Sequence, residues 1–203
     1  MSSTFNVYLQ LGFDHILDIQ GYDHILFLVA LCAIYTLRSW KKVIILATAF
    51  TLGHSLTLAL SALEILKFSP LIVEILIPVT ILFTAVFNLV FHYGEPNTEK
   101  KPSMWVNYGF AALFGLIHGM GFSNFFRSTA LPGEENAFLL QLFAFNIGVE
   151  LGQMIIIAII LVAAWLFLQQ FRIQQKYWNW IVSGIAAIFA VKMIVERIVE
   201  AAG

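Results

Sequence analysis

The stretch Val43-Ile44-Ile45-Leu46-Ala47-Thr48-Ala49-Phe50-Thr51-Leu52-Gly53-His54-Ser55-Leu56-Thr57-Leu58-Ala59-Leu60 holds no Asp, Glu, Lys or Arg and follows directly on Lys41-Lys42. It is the centre of an apolar run, Val43–Leu66, long enough for the ~20 residues that a membrane-spanning helix needs. Five further runs read the same way: Tyr22–Leu37, Pro70–Phe91, Trp105–Phe122, Ala137–Leu168 and Trp178–Val195. The first is short and the fifth is too long for one bilayer thickness. The expectation is that one is extended by the segment before it and the other is tilted or partly interfacial. The predicted fold is therefore all-α, a polytopic integral membrane bundle of about six transmembrane helices. A single membrane domain covers residues 1–203, with residues 1–21 as an N-terminal interfacial segment.

Composition agrees. The 203 residues are 60% hydrophobic and 11% charged, with a mean hydropathy of +0.86. Soluble domains sit near half apolar and about a quarter charged, so lipid is the solvent that accounts for the excess. The net charge of -1, with no basic cluster, argues against a nucleic-acid partner. One cysteine, Cys32 in an apolar run, excludes a disulfide framework and a thiolate cluster. The first 21 residues lack Lys and Arg, so a cleavable signal peptide is not expected.

Loop charge orients the chain. Arg38, Lys41 and Lys42 lie in the first loop, Lys100 and Lys101 in the third, Arg172 and Lys176 in the fifth. Only Lys67 and Arg127 lie in the alternate loops. Loops one, three and five are thus expected in the cytoplasm and both termini outside. Tyr93 to Ser103 is the longest polar loop, and Leu131 to Asn136 is the next clear turn.

Ionisable groups at membrane depth are costly and usually face a cavity or a partner. Those here are Asp23 and His24 opening the first span, His54 in the second, Glu74 in the third, His118 in the fourth and Glu150 in the fifth. Asn88, Asn146 and Gln153 add deep amides, read as supporting or pathway residues. With a rise of ~1.5 Å per residue, His24 and Glu74 come roughly 3–6 Å below the outer ends of their spans. His118 comes about 7 Å below and His54 about 17 Å, with Asn146 and Glu150 comparable. Five helices thus place polar groups in the outer half of the bilayer. His92, at the inner end of its span, reads as interfacial. Asn146, Glu150 and Gln153, at i, i+4 and i+7, share one helix face. Gly148 and Gly152, four apart beside them, allow a neighbouring helix to approach closely.

Imidazole with carboxylate and without thiolate suits Ni²⁺, Co²⁺ or Zn²⁺. On one unbroken helix His15 and His24, nine positions apart, would point in opposite directions at ~100° per residue. Both reach one ion only if the chain breaks between them, and Gly21 is the expected place. The candidate metal residues are His15, Asp23, His24, His54, His118, Glu74 and Glu150.

The run Gly21-Tyr22-Asp23-His24-Ile25-Leu26-Phe27 resembles the Gly-x-Asp-His-x-Leu-Phe signature of the HupE/UreJ family of membrane proteins. Phe50 to Thr57, Gly115 to Phe122 and Phe145 to Gln153 match further motifs of that family in order. The resemblance implies nickel or cobalt movement linked to hydrogenase and urease accessory systems. It also implies a metal role for His15, Asp23 and His24, and an integral protein of the bacterial inner (cytoplasmic) membrane. One departure is that seven residues separate His15 from the Asp23-His24 pair, where the family pattern has five.

The leading functional expectation is a carrier or channel for a divalent transition metal, with lipid and the ion as partners and homo-oligomerisation left open. An intramembrane zinc-type hydrolase is the alternative, since three histidines, an open position and a carboxylate base make a hydrolytic site. A subunit whose ion only senses or holds the bundle together is the third. A serine hydrolase is weaker: Ser123 follows a histidine but lacks a Gly-x-Ser-x-Gly elbow.

Overall fold

In the computed structural model, residues 2–90, 104–128 and 137–202 are described. They form seven α-helices, with no strand among them: α1 (Ser2–Leu17), α2 (Asp23–Cys32), α3 (Trp40–Ala62), α4 (Pro70–Val90), α5 (Met104–Ser128), α6 (Phe138–Trp165) and α7 (Gln175–Ala202). A 3₁₀ turn, Leu37–Ser39, leads into α3, and a π turn, Leu166–Gln170, extends α6. Three helical segments are long and apolar enough to cross a membrane: Leu37–Ala62, Pro70–Val90 and Phe138–Gln170. Their outward faces are apolar too. Leu52, Ile72 and Ile159 are each more than half exposed, the pattern of helices solvated by lipid. The chain is an integral membrane protein.

The stretch expected as the first span is helical only over Asp23–Cys32. That is about 15 Å of helix, half of a bilayer core. Its C-terminal carbonyls lack helical partners and are met from elsewhere. Asn88 Nδ2 donates to the Ala30 carbonyl at 2.7 Å, the Tyr35 N–H to Cys32 at 2.9 Å, and Gln175 Nε2 to Ile34 at 2.8 Å. Asn179 Nδ2 in turn donates to the Asn88 carbonyl, and Ser183 Oγ to Asn179 Oδ1. These bonds tie the C-terminal end of α2, and the residues just after it, to α4 and α7.

Glycines decide which long helices pair. A Cβ at Gly53 would fall on the Ala112 carbonyl oxygen, and one at Gly115 on that of Phe50. Gly119 in the same way faces His54 and Thr57. The device recurs between α1 and α6: Gly12 lies against the Phe145 carbonyl, Gly148 against Leu9 and Phe13, Gly152 against Phe13 and Ile16. In both pairs, later residues of one helix meet later residues of the other, so the partners run the same way. Backbones this close gain dispersion contacts that side chains would block. The partner that Gly148 and Gly152 admit is α1, so residues 2–17 are a packed helix along α6. The two pairs run in opposite senses, because His54 stacks on Phe145 while Thr51, one turn earlier on α3, bonds Gln153, two turns later on α6. The polar loop Tyr93–Ser103, the turn Leu131–Asn136 and His92 lie outside the described residues.

Candidate metal centre

Four helices deliver one imidazole each to a common space. His15 is in the last turn of α1, His24 is the second residue of α2, His54 follows Gly53 in α3, and His118 precedes Gly119 in α5. The α3–α5 crossing sets His54 and His118. The break at residues 18–22 turns the chain so that His15 and His24 meet. His24 is central, with ring centroids 4.5 Å from His15, 5.9 Å from His54 and 5.1 Å from His118; His15 and His54 are 6.0 Å apart.

Polarity without partners marks the space. Both ring nitrogens of His54 and of His118, and Nε2 of His15 and His24, are buried with no hydrogen bond. Buried polar atoms are normally paired, and an orphan asks for a ligand or a reason. Asp23 Oδ1 accepts from the His24 backbone N–H at 2.9 Å and lies 3.1 Å from its Nδ1. With a proton on Nδ1 directed at the carboxylate, Nε2 presents its lone pair to the space, the arrangement found behind metal-bound histidines. Aromatic rings wall it: Phe122 stands 3.8 Å from His15, Phe50 5.1 Å and Phe27 5.4 Å from His118, centroid to centroid.

Nitrogen ligation at ~2.1 Å in a tetrahedron would set neighbouring ring centroids about 5 Å apart, which the observed spacings bracket. Among the described residues, no three His, Cys, Asp or Glu side chains are already drawn in to enclose an ion. Ligation therefore requires the rings to turn inward.

The other sequence candidates divide. Glu74 lines the same open cavity as His15, Asp23, His24 and His118, with Arg197 Nη1 at 3.8 Å from its Oε2. Glu150 accepts from Thr48 Oγ1 at 2.6 Å, and Gln153 from Thr51 Oγ1 at 2.9 Å. These two bonds make an α3–α6 seam on the α3 turns before His54, and Gln153 Nε2 is left buried without a partner. Asn146 donates to the Leu142 carbonyl of its own helix. Asn88 bonds Ala30 in the interhelical tie already described. Two carboxylates not singled out from sequence, Asp14 and Asp18, also line the cavity. Their signal was available, since Asp14 adjoins His15 and Asp18 lies in the break before Asp23.

A family model described as HupE / UreJ protein matches residues 1–198, nearly the whole chain. The chain belongs to the HupE/UreJ family. No curated protein and no solved structure was found to match it. In this HupE/UreJ protein the motif segments converge on one centre. Gly21 to Phe27 carries Asp23 and His24, Phe50 to Thr57 carries His54, and Gly115 to Phe122 carries His118. Phe145 to Gln153 supplies the wall of Phe145 and the seam of Glu150 and Gln153.

Proposed function

We propose that the chain moves a divalent transition-metal ion, nickel or cobalt by the family's association and with zinc chemically admissible, across the membrane through the four-imidazole centre. The observation that carries this reading is the set of unpartnered, buried ring nitrogens on His15, His24, His54 and His118. Imidazoles without a proton partner are ligands in waiting, and neutral nitrogen donors suit these ions. Asp23 fixes the tautomer of His24 and adds negative charge beside a dication. A site of neutral donors that must turn inward binds exchangeably, as transport requires.

The ion enters from the outer face. The lysine and arginine bias of the loops supports six crossings with both termini outside, in the bacterial inner membrane, all within one membrane domain. The first crossing then combines α1 and α2 across their break. Discontinuous helices recur at ion sites in transporters because a break frees backbone and side chains for the ion. From the histidines the path continues along the α3–α6 seam, where Gln153, Thr51, Glu150 and Thr48 are the polar groups.

A second reading, an intramembrane zinc hydrolase, draws on one observation: the cavity opens onto His15, His24 and His118 beside Glu74, three imidazoles with a carboxylate near an open position. Elemental analysis of the purified protein, with Ni²⁺, Co²⁺ and Zn²⁺ uptake into proteoliposomes for wild type and His24→Ala, separates the two. His24-dependent uptake is expected. Stoichiometric zinc without uptake would move the reading to the hydrolase, and no bound metal under any loading would overturn both.

A further inference from the structure

The mouth of the cavity carries charge that the four imidazoles do not explain. Asp14, Asp18, Asp23 and Glu74 all line it, and no Lys or Arg does among the described residues. Asp23 is engaged with His24; the other three are set farther out. Asp14 takes one hydrogen bond from Gln10 Nε2 at 2.7 Å, and Asp18 one from the Gln20 N–H at 2.9 Å, each on Oδ1. Gly21 stands where Asp18 and Asp23 approach one another: a Cβ there would lie 3.5 Å from Asp18 Oδ2 and 3.9 Å from Asp23 Oδ1. With no side chain at residue 21, the space between the two carboxylates stays clear. Pro78 inside α4 withholds the N–H that would close onto the Glu74 backbone carbonyl.

A second, independent feature points inward from this rim. His24 and His118, 4% and 1% exposed, line the same cavity and hold unpartnered ring nitrogens. The groups are thus graded, with oxygen donors outside and nitrogen donors within. Carboxylates and water suit hydrated, hard dications, whereas imidazole suits transition metals stripped of water. A mouth lined by carboxylates also raises the local concentration of cations.

We propose that Asp14, Asp18 and Glu74 form a separate oxygen-donor docking site that holds a hydrated divalent cation at the cavity mouth before the imidazoles receive it. The inference rests on the metal reading above for the ion's destination. Arg197 is the resident competitor. Its guanidinium reaches Glu74 only at 3.8 Å and is bonded to Glu200 at 2.7 Å, so an arriving dication displaces it from Glu74 without stranding it.

The test uses the full chain in lipid nanodiscs with two probe ions. Mn²⁺, which favours oxygen donors, is titrated by electron paramagnetic resonance, and Co²⁺ at saturation reports imidazole ligation by visible absorption. The double variant Asp14→Asn/Asp18→Asn is expected to weaken Mn²⁺ binding by about tenfold or more while leaving the Co²⁺ spectrum intact. His24→Ala is expected to do the reverse. Asp14→Asn, at an exposed position, gives a smaller Mn²⁺ loss and serves if the double variant does not fold. Unchanged Mn²⁺ affinity in the carboxylate variants, or Mn²⁺ binding lost with His24→Ala, overturns the separate site. If wild type shows no imidazole-type Co²⁺ spectrum while the Mn²⁺ results hold, the histidine reading fails and the docking site stands.

Discussion

His15 and His24 stand nine positions apart in the chain with ring centroids 4.5 Å apart, a meeting made by the break between α1 and α2. Neither helix alone could produce it, since nine residues of unbroken helix turn the side chains to opposite faces. His24 is oriented from behind by Asp23 at 3.1 Å. Replacing that carboxylate with an isosteric amide keeps the space filled but removes the charge and allows the wrong tautomer. Asp23→Asn is expected to lower Ni²⁺ or Co²⁺ affinity 10–100-fold, roughly the loss seen for such supporting partners. Isothermal titration of the purified protein checks this, and equal affinity would show that Asp23 does not orient the ligand.

The motifs that carry the histidines were legible because ionisable groups in apolar runs stand out and because their flanking glycines announce close backbones. The face shared by Asn146, Glu150 and Gln153 was legible from spacing, and two of the three do bond α3. What was not legible is pairing. Residues 1–21 are less apolar than the runs that follow and so read as interfacial; that Ser2–Leu17 is one helix lying against α6 through Gly12 was not readable from them. A single glycine does not name its partner in sequence. Asn88 was read from its depth as a supporting or pathway amide, but depth could not name the carbonyl it bonds, which is that of Ala30. The tie through Asn179 and Ser183 was missed because Asn179 opens its apolar run, where a polar side chain needs no buried partner.

The glycine crossings predict a sharp contrast in stability. Gly53→Ala and Gly148→Ala each drive a methyl into a neighbouring backbone, where no side chain can yield. Overpacking of this kind costs typically ~1–3 kcal/mol, and more when backbone must move. Gly109 and Gly184 are helical glycines with nothing within 4 Å of an added Cβ. Gly109→Ala and Gly184→Ala should be neutral, or stabilising by up to about 1 kcal/mol through helix propensity. Thermal unfolding in detergent ranks the four, and equal losses at all four sites would contradict the packing.

The α3–α6 seam predicts coupling. Thr51→Val leaves the Gln153 carbonyl without its donor, and Gln153→Leu leaves the Thr51 hydroxyl with only the Ala47 carbonyl. A double-mutant cycle should return about 0.6 kcal/mol of interaction, the usual scale for hydrogen bonds between membrane helices. If the seam is the inward path, Gln153→Leu also slows uptake while metal binding at equilibrium is unchanged. Loss of both together would make Gln153 part of the binding centre.

His54 gives the clearest separation of a ligand from structural glue. Its ring is fully buried, between Phe50 and Phe145, and neither nitrogen has a partner. A polar atom in that position costs about 1–3 kcal/mol until an ion meets it. An apolar residue of similar size removes the cost, so His54→Leu should raise the unfolding temperature of the chelator-treated protein. Wild type gains stability from bound metal by mass action, about 2.7 kcal/mol at a hundredfold excess over Kd, and the variant should lose most of that gain. The two curves then cross: the variant is more stable without metal and wild type more stable with it. A histidine held for packing gives the opposite sign in the metal-free protein, where His54→Leu would destabilise, and metal would shift both proteins alike.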